Sequence, residues 1–544
     1  MPLWYDAAMN KKTSIEFDPV TRVDLDPVMM QTRRSNQSAR RTLAVAALLA
    51  LIFVILHADN LVAQSSIRYE LGSRLRRFEA RFENHLDDGG RKLVLESMSG
   101  AVSSFFGMQM QDAAQGLDQA WIKLWPAEQR ATAEWVASRQ VRAANHLLDE
   151  SGTVTLQISE YYPGEFAMPA NGKFVCDLES LTLADVDSGV KRVGEFQLSQ
   201  TELKLPGLAA EPGDYAIRVS VQSGDNLFPV GRVVCSRLLR FEQRMEALEA
   251  KRKSLRQQAD AGTDFDASAI ATLKDRIYLL RRWAKSSDLE TDFLACLELR
   301  RLEALSDNME QPNWLYETSL ATRSGQKILP GQAVTIAGEK RKKAVVRLFV
   351  PDAVFEEPEQ AAERSKRERP VVIALHGAGG SENMFFDGYG DGKVVKLCEQ
   401  RGWILVSPRI GLGGVGLGLP EIIEQLSEQF PIDKNAVFVV GHSMGAAYAN
   451  QVAAEFAASD TMQSPGVAAL GGGRRIRLAA EGAPAFFVAA GSHDFGKRGA
   501  QSLSESLKSQ SIPCDYHEYS NTEHMGIVQV ALSDVFQFFD GLLQ

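Results

Sequence analysis

The stretch from Ala436 to Ala454, AVFVVGHSMGAAYANQVAA in one-letter code, constrains the fold of this chain more than any other. A β-branched and aromatic apolar run, Val437 to Val440, stops at Gly441, His442, Ser443, Met444 and Gly445. An alanine-rich stretch with helical character, Ala446 to Ala457, follows. The order is strand, sharp turn, helix. A side chain held on such a turn projects clear of the sheet, and glycines on both sides let the backbone pass close behind it. The pattern G-x-S-x-G in this setting predicts that Ser443 is a nucleophile on a strained strand-to-helix elbow.

From near Lys327 onward, strand and helix signals alternate. Ala333 to Ile336 and Ala344 to Val350 read as a leading hairpin. Val371 to Leu375, Trp403 to Val406, Val437 to Val440, Val467 to Leu470, Phe486 to Ala490 and Tyr516 to Tyr519 read as later strands, with helical segments between most of them. Near-continuous apolar strands separated by helices predict a mostly parallel sheet buried on both faces, spanning 327–544. Sites in such sheets lie at the carboxyl ends of the strands.

The chemistry-bearing residues fall at those ends. Right after Leu375, the turn His376, Gly377, Ala378, Gly379, Gly380 is able to present backbone N–H groups inward. Either Ala378 or Gly379, together with Met444, is expected to bind the oxyanion of a tetrahedral intermediate. After Ala490 the chain continues Gly491, Ser492, His493, Asp494, which places a carboxylate just past a strand end. His524, in Asn-Thr-Glu-His-Met-Gly, follows the last strand. The order Ser443, Asp494, His524 predicts nucleophile, orienting acid and general base. Asp515 and Glu518 compete for the acid. His493, His517, His442 and His376 compete for the base, but they precede the acid, lie within a strand or belong to the turns.

With these elements in order, residues 330 to 544 resemble an α/β-hydrolase, and more narrowly the small esterases of the polyhydroxybutyrate-depolymerase and dienelactone-hydrolase-like groups. The resemblance rests on His376 to Gly380, Gly441 to Gly445, Asp494 and His524. It implies a serine carboxylic ester hydrolase working through an acyl-enzyme on a small or polymer-linked ester, without a metal or organic cofactor. Dienelactone hydrolases carry cysteine at the elbow, so Ser443 points to esterase-type relatives. Prolyl-oligopeptidase-like peptidases often have a further glycine where Ala446 stands here, which tilts against a peptidase. That serine peptidase is one alternative. A cell-envelope interaction protein with an inactive hydrolase domain is the other.

Two local features bear on the cleft. Only about a dozen residues join the strand ending at Leu470 to the next, which leaves no room for a large inserted lid and predicts an open cleft. Gly411, Gly413 and Gly416 form a literal G-x-G-x-x-G, but no βαβ pattern accompanies it, so it reads as a cleft wall rather than a nucleotide loop. Arg474, Arg475 and Arg477 read as solvated charge.

The preceding half makes the chain multidomain, as 544 residues require. In the N-terminal extension, 1–64, Arg33, Arg34, Arg40 and Arg41 precede the apolar run Leu43 to Leu56. Fourteen residues suit a signal peptide better than a membrane span of about 20. Leu61-Val62-Ala63 offers a cleavage site, and Met29 sits where an ordinary signal peptide would begin. The expectation is an exported protein, periplasmic or extracellular, either cleaved or anchored to the membrane by one N-terminal helix.

Residues 65–150 show a helical period, with Trp121, Trp125 and Trp135 expected in its core. Residues 151–240 alternate with period two between turns rich in Gly, Pro and Asp, predicting a β-sandwich. The run Pro212-Gly213-Asp214-Tyr215-Ala216-Ile217 resembles the turn and tyrosine of immunoglobulin-like modules. Residues 241–310 read as charged amphipathic helical hairpins. A net charge of -9 without a Lys/Arg block excludes nucleic acid as a partner. Five scattered cysteines and no C-x-x-C exclude a zinc site, leaving Cys176 and Cys235 to pair or to stay free.

Overall fold

A computed structural model describes residues 61–181, 189–208, 211–261, 265–285, 289, 291–323, 331–355, 368–411, 414–479 and 481–543. The apolar run 43–56 with its arginine flank, and Gly413, lie outside the described residues. Among the described residues no helix is long and apolar enough to cross a membrane.

Leu71, Leu75, Phe78 and Phe82 recur at spacings of three and four, so they share one face of helix α1 (Leu61–Phe82). Helix α2 (Asp88–Phe106) is capped by the Asp87 carboxylate, which accepts the Gly90 N–H at 2.7 Å. Helices α3 (Met110–Lys123) and α4 (Arg130–Ala137) follow. Trp121, Trp125 and Trp135 are buried in the core these helices share. Arg74 of α1 is buried as well, and it is fully engaged: its guanidinium donates to Glu70 at 2.7 Å and to Asp118 at 3.0 Å. Asp118 also accepts from Arg77 and, at 3.0 Å, from the Tyr162 hydroxyl. Such a buried charge is tolerated only because every member of the network has a partner.

The period then changes to two. Strands β1 (Arg139–Ala143), β2 (Leu147–Leu148), β3 (Val154–Glu160), β4 (Lys173–Ser180), β5 (Lys191–Gln197), β6 (Glu202–Leu205), β7 (Gly213–Ser223) and β8 (Asn226–Arg237) form two sheets. One has the order β1-β3-β6 and the other β2-β8-β7-β4-β5. Val141 and Leu156 from the first meet Phe174 and Val219 from the second in the core that also holds α1 to α4. The Tyr215 hydroxyl donates to the Glu211 carbonyl at 2.6 Å and ties down the turn before β7. Two features were not in the sequence expectation: β1 belongs to this layer, and β2 pairs in parallel with β8.

All five cysteines are free. Cys176 lies on β4 and Cys235 on β8, and both strands pair with β7 from opposite sides. Two strand spacings, roughly 9 to 10 Å, separate them across the sheet, and their partners Val219 and Tyr215 stand four residues apart along β7, a further roughly 13 Å; a disulfide spans only roughly 7 Å between Cα atoms. Of the two alternatives the sequence leaves open, the bridge is therefore excluded and both thiols stay free.

Helices α5 (Phe241–Asp260), α6 (Ala267–Ala284), α7 (Ala295–Asn308) and α8 (Trp314–Arg323) pack against the main sheet. Leu273, Ile277, Leu299 and Leu302 join Val334, Ile336 and Val346 in one core. The main sheet comprises β9 (Gln332–Ala337), β10 (Lys343–Phe349), β11 (Arg369–Leu375), β12 (Ile404–Pro408), β13 (Ile432–His442), β14 (Gly466–Leu470), β15 (Ala485–Gly491) and β16 (Cys514–Tyr519). Its order is β16-β15-β14-β13-β11-β12-β10-β9. The hairpin edge β9-β10-β12 is antiparallel, and every other pair is parallel. Between the strands run α9 (Lys393–Arg401), α10 (Leu419–Ser427), α11 (Met444–Ala457), α12 (Lys497–Ser509) and, after β16, α13 (Gly526–Gly541).

Along β11, Val371, Ile373 and Leu375 enter the core of α10 to α12, while Val372 and Ala374 enter that of α9 and α13. Burial on both faces explains why these strands read as unbroken apolar runs. The chain steps from β11 to β12 on one side and returns to β13 on the other, opening a crevice at the carboxyl ends of β11 and β13. This is the architecture that the α/β-hydrolase resemblance implies.

Candidate active site

Strand β13 ends at His442 and α11 begins at Met444, so the elbow is Ser443 itself, at φ 56° and ψ -114°. A non-glycine residue there stores on the order of 1–3 kcal/mol. The turn is too tight for neighbours with side chains. A Cβ on Gly445 would lie 2.0 Å from the Leu375 carbonyl oxygen, and one on Gly441 would lie 2.2 Å from that of Gly445. The Ser443 N–H donates to the Leu470 carbonyl at 2.9 Å, pinning the elbow to β14.

His524 reaches Ser443 from the loop between β16 and α13. Its Nδ1 lies 2.7 Å from Asp494 Oδ1 and its Nε2 lies 2.8 Å from Ser443 Oγ. A carboxylate only accepts, so Nδ1 carries the hydrogen and Nε2 accepts from the serine hydroxyl. Asp494 and His524 are buried, and Asp494 Oδ1 also accepts the Gly496 N–H at 2.6 Å. The histidine loop is anchored by buried Glu523, which accepts the N–H groups of Met525 and Gly526, each at 2.6 Å.

The structure thus brings Ser443, His524 and Asp494 into one hydrogen-bonded chain, and it places the competitors elsewhere. Asp515 is exposed on β16, Glu518 pairs with Lys497 at 2.7 Å, and exposed His493 contacts Ser492. His517 stacks on Phe487. His376 donates from Nδ1 to the Gly377 carbonyl at 2.8 Å and accepts the Ile410 N–H at Nε2, 2.9 Å away, which sets the shape of the turn after β11.

Ala378 and Gly379 from that turn line the cavity that holds Ser443. Gly380 closes the turn by donating to the Gly377 carbonyl at 3.1 Å. Met444 is the first residue of α11, where N–H groups have no partner within the helix. Its side chain is exposed.

A second hydrogen-bonded chain runs behind the first. His442 donates from Nε2 to the His524 carbonyl at 2.8 Å. Its Nδ1 accepts the Tyr389 hydroxyl at 2.7 Å, and the Tyr389 oxygen accepts the Gly377 N–H at 3.3 Å. Burial pushes the His442 imidazole down to about 3, so it stays neutral with these roles fixed. The chain joins the turn after β11 to the histidine loop. Sequence reasoning assigned His442 to its turn and passed over Tyr389, since nothing in Gly388-Tyr389-Gly390 shows that the ring folds back under the elbow. Replacing Tyr389 by Phe leaves both partners unsatisfied, and kcat/KM on an ester substrate should fall roughly tenfold. An unchanged kcat/KM in Tyr389→Phe would show that the chain does not position the site.

The open cleft expected from the short link after Leu470 is corrected by the structure. A cavity of about 170 Å³ beside Ser443 is roofed by α1, α2 and α3. Phe105 packs over the turn after β11, with its ring 2.9 Å from the point a Gly379 Cβ would occupy. Phe106 meets Phe495 edge-on, and the Phe495 ring lies 3.8 Å from that of His524. The cover comes from a distant part of the sequence, so no insertion is needed. Of the glycine-rich segment expected as a cleft wall, residues 414–418 pack at the hairpin edge, where Gly416 lies against the Lys343 carbonyl and Val415 and Leu417 join the sheet core. Arg475 donates to Ser502 at 3.0 Å, away from the cavity.

The roof is fastened to the main-sheet layer by polar contacts. The Gln529 amide donates to the Glu79 carbonyl at 3.0 Å and to Glu83 at 2.7 Å, and Lys393 pairs with Glu83 at 3.1 Å. The Arg91 guanidinium donates to the Ser520 carbonyl at 2.9 Å. Burial pushes the Glu79 carboxyl up to about 8, against backbone hydrogen bonds from Gly390 and Asp391. The folded state therefore holds this proton more tightly than the unfolded chain does. Its stabilising contribution is complete below about 4.5 and is lost as pH rises through about 8. The thermal midpoint should fall across that window, and Glu79→Gln should flatten the fall; equal slopes in the two proteins would contradict the assignment.

Among the described residues no group of His, Cys, Asp or Glu is arranged to hold a metal ion. No protein-family profile matches the chain. A curated relative, feruloyl esterase B from Thermothelomyces thermophilus, is 25% identical over 142 residues. The match covers 23% of this chain and 44% of the relative, so the chain spans less than half of that protein's length. Among solved structures, a ferulic acid esterase is 14% identical, covering 39% of this chain and 98% of its own, at a TM-score of 0.32. An S-formylglutathione hydrolase from Staphylococcus aureus is 11% identical, covering 39% of this chain and 96% of its own, also at 0.32. A ferulic acid esterase from Anaeromyces mucronatus is 16% identical, covering 39% and 91%, at 0.30.

Proposed function

We propose that this protein is a serine hydrolase that cleaves carboxylic esters through an acyl-enzyme. The observation that carries the reading is the chain Ser443, His524, Asp494, with contacts of 2.8 and 2.7 Å, set beside a turn of backbone N–H groups at the carboxyl ends of β11 and β13. The similarity to feruloyl esterase B supports the ester class.

In this reading Ser443 Oγ attacks the ester carbonyl as its proton passes to His524 Nε2. The N–H of Met444, with that of Ala378 or Gly379, receives the oxyanion; one such donor is worth about 100- to 1000-fold in rate. The tetrahedral intermediate collapses and the alcohol leaves with the proton from Nε2. Water then attacks the acyl-serine, giving its proton to the same nitrogen, and the second collapse frees the carboxylic acid and returns Ser443 to its hydroxyl. Asp494 keeps Nδ1 protonated throughout and balances the charge on the imidazolium. The dry setting of Asp494 and His524 strengthens that interaction.

The reading includes export, supported by the apolar run Leu43 to Leu56 behind its arginine flank. The deciding assay sets p-nitrophenyl acetate against a peptide anilide. Ester hydrolysis well above amide hydrolysis is expected. Comparable rates on the two would favour a peptidase, and no turnover of either would leave a hydrolase scaffold without activity.

A further inference from the structure

We infer that the site is built for esters whose acyl group is an extended apolar chain, received beneath the roof that α1 to α3 lay over the oxyanion turn. The inference rests on the ester-hydrolase reading and names its substrate class.

The roof is amphipathic in a particular sense. On α1, Leu71 and Leu75 lie four residues apart on the face toward Ser443; on α2, Met98, Val102 and Phe105 do the same at spacings of four and three; α3 adds Leu117. These six side chains come from three helices, yet they close on one cavity shared with Ser443 and the turn 377–381. A helix covering a sheet edge for packing alone would fill that space. Here it is left open as a cavity of about 170 Å³ with apolar walls. A void of this kind holds no favourable place for ordered water, and an apolar chain is the occupant that fits it.

The cavity is lined by the turn 377–381 as well as by Ser443 and His524. In this proposal the space belongs to the acyl chain, which stays through deacylation, rather than to the alcohol that departs. The charged lining does not call for an anionic substrate. Burial works against the Arg76 charge, and the carboxylates of Asp292, Asp387 and Asp391 more than restore it, so its field is already balanced. Arg68, also in the lining, is exposed.

The test is an acyl-length series of p-nitrophenyl esters from acetate to decanoate, run on the full chain. Transfer of each methylene out of water is worth up to about fourfold in kcat/KM. The octanoate ester should therefore exceed the acetate by at least tenfold. Val102 faces the cavity from α2. Val102→Trp should lower the octanoate-to-acetate ratio at least tenfold, with a thermal midpoint near that of the parent protein. Leu71→Trp, from the other wall, should act in the same direction and serves if Val102→Trp does not fold. A flat acyl-length profile, or an unchanged ratio in both folded variants, would overturn the proposal. So would a length preference that follows the alcohol in a series of alkyl acetates. Failure of the ester reading has a different signature: no hydrolysis of any ester, acetate included.

Discussion

Ser443→Ala abolishes ester hydrolysis in the expected result, with kcat falling by roughly a millionfold and the thermal midpoint almost unchanged. Both parts of the result follow from the elbow. The serine Oγ contacts His524 Nε2 at 2.8 Å, and in the proposed mechanism it is the bond-forming atom, so its removal should end acyl transfer. Alanine keeps the same Cβ, and the φ of 56° that the site imposes is no harder for alanine than for serine. The elbow is held by the Ser443 N–H on Leu470 and by the close approach of Gly441 and Gly445, none of which involves the hydroxyl. The measurement is kcat on p-nitrophenyl acetate beside a melting curve. Residual turnover within a hundredfold of the parent would mean that another group attacks.

The second large effect is expected at Asp494. Its Oδ1 accepts both His524 Nδ1–H and the Gly496 N–H, and its Oδ2 is buried without a hydrogen-bond donor among the described residues. Asparagine has two ways to sit there. With its oxygen toward His524, the amide group buries two N–H donors where nothing accepts them, costing about 1–3 kcal/mol. With its nitrogen toward His524, it presents a donor to a donor and forces the other imidazole tautomer, leaving Nε2 unable to take the serine proton. Asp494→Asn should therefore reduce kcat by roughly 10³- to 10⁴-fold. The rate of fluorophosphonate labelling should fall in parallel, because that reaction uses the same proton transfer. A drop below tenfold would show that Asp494 does not orient the base.

How far the sequence carried depended on how locally each feature is encoded. Ser443, Asp494 and His524 each follow directly on a buried strand or stand just before a helix, so apolar runs and their stops located them. The central strands of the main sheet, at 371–375, 404–406, 437–440, 466–470 and 486–490, were legible because burial on both faces leaves no polar interruption. β5 was not, because Lys191–Gln197 is a sheet edge with no fully buried residue, Val193 and Phe196 being half-buried against the core, and its charged residues hide the alternation. β1, at Arg139–Ala143, buries only its central Val141 and was read as helix for the same reason.

The roof shows a different limit. Leu71, Leu75 and Phe78 announced an amphipathic helix, yet periodicity states that a face is apolar and not what it faces. The short link after Leu470 argued correctly against an insertion at that point; the inference to an open cleft failed because the cover is supplied by α1 to α3. Cys176 and Cys235 lay in one β-layer, as expected, but strand order decides whether two cysteines meet, and β7 stands between them. Tyr389 was invisible for a similar reason: its partner His442 is far along the chain, and only the parallel pairing of β11 with β13 brings the two turns together.

The central claim, that Ser443 is a nucleophile activated by His524, is tested most directly by mass spectrometry of the folded protein after reaction with a fluorophosphonate probe. The account predicts a single adduct on the peptide carrying Ser443, absent after heat denaturation before labelling and absent in His524→Ala. Folded protein that takes up no probe, or takes it up at another residue, would contradict it.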